Sequence, residues 1–404
     1  MVQHRLLPVL GVSLTVAIIS GASTACRRVI AEPTGDPPLA DAGLRRSDVL
    51  TAFGACAYDL ARDFRERAEI LERRTSTYAG ATTNENQAVA RAAWEDAIDL
   101  WERAEVFQFG PAAPIGAPGG QDLRSQIYSW PAVSRCTIEQ GLVGKTYDTP
   151  TFADVSTAAR GLYAAEYLLF YGGTDNVCGP TSAINTNGTW AALGATGLRD
   201  RKAGYAHAIA LDLVTRARTL EAQWSPSGGA FGRELTNAGG TTGIFATQQL
   251  AFNAVSDALF YVEIATKDMK LGKPSGLRDC TTETCPEALE SPWAKRSTHH
   301  VRENLVGGRT LVFGCDAGGQ VGFDDLLRAM GQGAVADRLA VAFDEAIAAV
   351  DAIPDADLDA TLTRDPLVVR ALYVAVKKIT DILRTDFVTL LDLEIPKVIE
   401  GDND

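Results

Sequence analysis

The chain has 404 residues, 46% of them hydrophobic, and a formal net charge of −13. That length is enough for a large core and two domains. The acidic balance keeps the protein soluble, sets nucleic acid aside as a partner and leaves room for cations.

In chain order, the first element is a targeting segment. His4 and Arg5 precede a mostly apolar run, Leu6 to Ser20, and then small residues from Gly21 to Ala25. A run of about 15 apolar residues is signal-peptide length and short for a membrane span. Cys26 follows, and a small residue directly before a Cys at this distance resembles a bacterial lipoprotein cleavage site, although Ser23 departs from the Leu usual there. Residues 1–25 are therefore expected to be a signal peptide. Residues 26–45, with three prolines after Cys26, are expected to be a lipid-anchored tether. Arg27 and Arg28 after the anchor, with no Asp to signal inner-membrane retention, point to the outer membrane. Six further cysteines, at 56, 136, 178, 280, 285 and 315, suit disulfides in an exported chain, and their pairing is left open. Cys280 and Cys285 can close a small loop, and Cys136 with Cys178 would flank a helical segment.

The remaining periodicity is helical. Ser47 and Asp48 offer caps to a run with Val49, Leu50, Phe53, Cys56, Leu60 and Phe64 on one side. Val89, Trp94, Ala97, Ile98, Trp101 and Ala104 mark the next helix. Further helices are predicted over about 151–171, 199–223, 241–268, 333–352 and 365–393, the last opened by Asp365-Pro366. Leu311 to Phe313 is the kind of short apolar run that pairs as a strand. The expected fold class is all-α, with two helical-bundle domains, 46–224 and 240–404, and a cleft between them. Long Gly-rich loops at 110–121, 172–198 and 272–290 hold Cys178, Cys280 and Cys285, which points to crosslinking.

HExxH, P-loop, GxSxG and dinucleotide fingerprints are absent, and after the targeting segment only His207, His299 and His300 remain. The informative run is Gly161-Leu162-Tyr163-Ala164-Ala165-Glu166, which puts Tyr163 and Glu166 on one helix face. It resembles the GxHxxE motif of imelysin-like proteins. Trp94 to Trp101-Glu102-Arg103-Ala104-Glu105 through Gly110-Pro111 resembles the Trp-rich helix of that family. Ile127-Tyr128-Ser129-Trp130-Pro131, Lys270-Leu271-Gly272-Lys273-Pro274, Glu290-Ser291-Pro292 with Asn304, and the acidic ending resemble further blocks. The resemblance implies a two-bundle envelope lipoprotein tied to iron uptake, with a metallopeptidase as the enzymatic alternative.

Tyr163 stands where the family has His. The pair can therefore hold an iron or other divalent or trivalent cation through oxygen, hold a small ligand, or simply pack, with the Tyr163 hydroxyl bonded to Glu166. Trp94, Glu105, Arg124, Ser291 and Asn304 are expected as neighbours of that site. For Trp94 and Trp101 a buried core role is favoured, for Glu102 and Glu105 a solvated face, and for His299-His300 an exposed pair. The expected function is a non-enzymatic accessory in metal acquisition, facing the periplasm and working with envelope iron-transport components. A structural protein with a degenerate site is the third possibility.

Overall fold

Asp48 accepts a hydrogen bond from the Arg45 N–H and starts helix α1, Arg46–Gly80. Its side at Val49, Leu50, Phe53, Cys56 and Phe64 is buried, as the spacing predicts. The computed structural model describes residues 43–227 and 230–397, so the targeting segment and Cys26 lie outside the described residues. Thr83 caps α2, Asn84–Ala104, by accepting from the Asn86 N–H. Trp94 and Trp101 are both buried. The Trp94 indole donates to the Leu162 carbonyl at 2.8 Å, and Trp101 packs against Phe64.

Short α3, Leu123–Ile127, and α4, Arg135–Gly144, lead to α5, Gly161–Phe170. The helix expected over 151–171 is thus only its second half. Residues 152–154 and 157–159 are isolated tight turns, Arg160 is extended, and Gly161 sits at φ +82°. A Cβ at Gly161 would lie 2.8 Å from the Ile127 carbonyl oxygen, so the helix can begin there only on glycine. α6, Ala183–Thr186, precedes the long α7, Gly194–Trp224, which packs along α1.

After α8, Ala230–Thr236, the helix expected over 241–268 begins at residue 248, not 241. Gly239-Gly240-Thr241-Thr242-Gly243 offers no helix-favouring side chains, and Thr247 supplies the cap for α9, Gln248–Leu259. The chain then widens into a π-helical segment, Val262–Gly272, which turns both Lys267 and Lys270 into the interior. α10, Ser297–Phe313, absorbs Leu311 to Phe313 as its last turn, and no strand occurs among the described residues. α11, Phe323–Ala329, α12, Gly333–Asp351, α13, Leu358–Arg364, and α14, Pro366–Ile382, follow, with Asp365 capping α14 as expected. A second wide segment, Leu383–Phe387, and α15, Val388–Leu390, complete that run.

The fold is all-α. The described residues of 46–224 and 240–397 share one continuous apolar core that runs from Val49 to Leu391. α2 meets α10 closely: a Cβ on Gly307 would lie 2.3 Å from the Arg103 carbonyl oxygen. Three disulfides are present. Cys280–Cys285 and Cys136–Cys178 close local loops, while Cys56–Cys315 joins α1 to the segment after α10 across 259 residues of sequence.

Candidate functional site

Where α2, α10 and the π-helical segment meet, the interior is polar. Glu102 and Glu105 are three residues apart on α2 and both are fully buried, so the solvated face expected for them is wrong. The close approach at Gly307 seals that face against α10. Lys270 reaches into the same space. Its Nζ lies 2.5 Å from Glu102 Oε2, 3.2 Å from Glu105 Oε1 and 2.9 Å from Glu290 Oε2. Arg124 Nε stands 3.3 Å from Glu105 Oε2, and the Tyr261 hydroxyl donates to Glu105 Oε1. The Tyr128 hydroxyl donates to Glu290 Oε1 at 2.6 Å. Asn304 Nδ2 donates to the Glu102 carbonyl and carboxylate at 2.7 and 3.0 Å.

His300 occupies the centre. It is fully buried, which overturns the exposed pair expected at 299–300; only His299 reaches partial exposure. His300 Nδ1 lies 3.2 Å from Glu102 Oε1 and 3.2 Å from Glu290 Oε2. None of these atoms makes a hydrogen bond of acceptable geometry, nor does His300 Nε2. The donor atoms of Glu102, Glu290 and His300 all lie within 4.8 Å of one another. A tetrahedral ion with bonds of about 2.0 Å holds its ligand atoms roughly 3.3 Å apart, so the His300 separations suit such an ion. Buried polar atoms left without hydrogen bonds are costly and call for a partner. The donor set therefore fits a cation.

The charges divide unequally. Burial alone would raise Glu290, but Lys270, His300 and Tyr128 outweigh it and hold this carboxyl at about 2. Glu105 is likewise held below its ordinary range, because Lys270 and Arg124 overcome its burial. Glu102 is pushed well above the ordinary range, first by burial and then by Glu105 and Glu290. Burial would lower Lys270, yet the carboxylates beside it hold its ammonium protonated. Apart from His300, then, two cations, Lys270 and Arg124, face the three carboxylates Glu102, Glu105 and Glu290, which leaves room for further positive charge.

The motif pair lies beside this cluster. Glu166 Oε1 accepts from the Ser291 hydroxyl at 3.1 Å and from the Trp293 and Ala294 N–H groups at 3.0 and 2.8 Å, while Oε2 is buried without a partner. Tyr163 is half-buried between the rings of Tyr128 and Trp293, and no bond joins its hydroxyl to Glu166 among the described residues. Burial, then Glu166, pushes its phenol well above the ordinary value, so the phenolate that would favour ferric iron is disfavoured. Of the sequence-expected neighbours, Glu105, Arg124, Ser291 and Asn304 all enter the polar interior. Arg124 pairs with Glu105 rather than Glu166, and Trp94 packs with its ring 6.4 Å from that of His300. Lys270, Glu290, Tyr128 and Tyr261 were not expected as site residues. The signal available for His300 was its spacing of four from Asn304, which puts both on one face of α10. Arg124 and Tyr261 also form part of the wall of an adjoining cavity of about 610 Å³.

Glu166 supplies a pH test. Burial raises its carboxyl from 4.5 to about 8 against the opposing backbone donors. Between those values the folded state binds more protons than the unfolded one, so its contribution to stability falls as pH rises, on the order of 1 kcal/mol per unit. Glu166→Gln is expected to flatten this slope in urea titrations run from pH 5 to 8. Parallel slopes for the two proteins would clear Glu166.

A family model described as imelysin, of the peptidase M75 class, matches residues 57–385. Iron-regulated protein A of Synechococcus elongatus is 28% identical over 246 residues, covering 60% of this chain and 57% of that protein. The chain thus spans little more than half the length of this curated relative. A crystal structure described as an iron-regulated protein A precursor from Parabacteroides distasonis superposes with a TM-score of 0.65 at 15% identity, over 87% of this chain and 98% of that one. An imelysin-like protein from Psychrobacter arcticum gives 0.62 at 16% identity with the same coverage.

Proposed function

The chain belongs to the imelysin family, and we propose that it is a non-enzymatic cation-binding accessory of iron acquisition at the cell envelope. The observation that carries this is the buried set Glu102, Glu290 and His300, whose facing atoms make no hydrogen bond and of which only Glu290 Oε2 is ion-paired, to Lys270. Two carboxylates and an imidazole suit ferrous iron and similar divalent ions. The iron-regulated name of the Synechococcus relative supports the choice of iron as cargo. Full burial of all three side chains keeps a peptide bond from reaching an ion held there, which favours storage or transfer over hydrolysis. Tyr163 and Glu166 stand next to the ion's set rather than in it: Glu166 Oε1 is already taken by Ser291, Trp293 and Ala294, and Tyr163 packs against Tyr128 and Trp293.

The same proposal places the protein on the outer membrane through a lipid on Cys26, facing the periplasm, where envelope iron-transport components would receive or supply the ion. The sequence of residues 1–45 supports this. Ferrous, ferric, zinc and calcium ions are the probes, with melting temperature and titration calorimetry as readouts. An ion at a hundredfold excess over its Kd stabilises the fold by about 2.7 kcal/mol, and His300→Ala with Glu290→Gln should abolish that gain. No gain with any of the four ions removes the proposal. Chelator-sensitive cleavage of a protein substrate, lost in Glu290→Gln, would replace it with a peptidase.

A further inference from the structure

A second polar cavity, of about 300 Å³, lies between the end of α1, α2, the loop after α5 and the first turns of α7. Arg91, Arg199 and Lys202 line it, and no carboxylate among the described residues does. In a chain with a net charge of −13, three cations lining one cavity with no ion-paired carboxylate among the described residues are out of keeping with the rest of the molecule.

The acceptors nearby are already used. The Leu169 carbonyl oxygen accepts from Gln87 and from Arg91 Nε. Lys202 Nζ donates to the carbonyls of Tyr171 and Gly173 at 2.8 and 3.3 Å, and the Thr174 carbonyl accepts from Trp190. The nearby acids are turned aside: Asp175 is held by Arg135 and Tyr171, and Asp200 accepts from Thr82. Donors are left. The Arg199 guanidinium is exposed and has no partner among the described residues. Ala195 and Thr196 bring the positive end of the 31-residue helix α7 to the wall.

A separate observation points to a ligand. Tyr78 is 1% exposed, lines the cavity, and its hydroxyl bonds to no described residue. Burial and, more weakly than either arginine, Asp200 push its phenol up while Arg199 and Arg91 pull it down, so both guanidiniums lie within electrostatic reach of that hydroxyl and outrank the one carboxylate that reaches it.

We propose that this cavity binds a phosphate group, free or carried on a small organic molecule, through Arg91, Arg199, Lys202 and the Tyr78 hydroxyl. Phosphate offers acceptors on every side to a wall made of donors, and Arg recognises its planar edges. The volume admits the group together with bound waters or a small substituent. The site is independent of the Glu102–Glu290–His300 set.

The test is calorimetric titration of the full chain with inorganic phosphate, against chloride at matched ionic strength. Saturable binding at one site is expected, weakening as salt rises. Loss of one charge-assisted contact in Arg199→Gln should weaken it about tenfold. This exposed, unpaired side chain can be changed with the melting temperature held, and Tyr78→Phe should weaken binding severalfold in a protein of unchanged charge. Absence of saturable phosphate binding, or wild-type affinity in Arg199→Gln and Tyr78→Phe alike, overturns the proposal.

Discussion

Lys270→Met is expected to destabilise the protein by about 3–5 kcal/mol, the cost of leaving buried charge without its partner. Lys270 Nζ contacts Glu102, Glu105 and Glu290 at once, and every one of these groups is buried. Methionine matches the stem in size, so the loss reports charge rather than volume. Arg124 and Tyr261 would still hold Glu105, but Glu290 would keep only Tyr128 and His300. Two further results follow. Glu290→Gln in the Lys270→Met background should recover part of the stability, because it removes one of the stranded charges. Divalent cations should stabilise Lys270→Met more than wild type, since an ion no longer competes with the ammonium. A melting temperature within about 2 °C of wild type would show that the carboxylates are balanced without Lys270.

The other large effect concerns Cys56–Cys315, whose partners are 259 residues apart. In the chain-entropy account a crosslink of that span restricts the unfolded ensemble by about 5 kcal/mol, whereas one across a handful of residues is worth about 2 kcal/mol. Cys280–Cys285 spans 5 residues. Replacing Cys56 and Cys315 together with Ser should therefore lower unfolding free energy more than twice as far as replacing Cys280 and Cys285. The half of the bridge at Cys56 lies on the buried face of α1, so the first pair also exposes a hydroxyl to apolar packing. Guanidinium unfolding of both double variants measures the difference. Equal losses would show that the unfolded chain is not what the long bridge restrains.

Much of the fold was legible in local signals. Asp365-Pro366 starts α14 as expected, Trp94 and Trp101 are core, and the apolar stripe of α1 is buried where its spacing puts it. The cysteines in the 172–198 and 272–290 loops are crosslinked. The misses have a common cause. A helix face with Glu102 and Glu105 reads as solvated because the cation that makes its burial tolerable is Lys270, 168 and 165 residues away. The same holds for His300, which is buried only because α10 is pressed against α2 at Gly307. Nearest-neighbour patterns carry no record of such partners. The wide turns at 262–272 and the late start at residue 248 were hidden because helix periodicity blurs where the pitch itself changes.

The order of the cysteines matters for how the chain is made as well as for how stable it is. Cys56 is the first of the six to be synthesised, and its partner Cys315 is the last. Cys136 follows Cys56 in the chain, so thiols joined in order of appearance would link Cys56 to Cys136 and Cys178 to Cys280. Cys136–Cys178 and Cys280–Cys285 each join successive thiols, but both close correctly only if Cys56 is held out of that order. The native set therefore requires that Cys56 stay reduced, or be released from a wrong partner, until α10 has been made. The yield of correctly bridged protein is then governed by the thiol-exchange machinery of the compartment where it folds. Recombinant material made without such machinery should accumulate mispaired isomers even though the finished fold is sound.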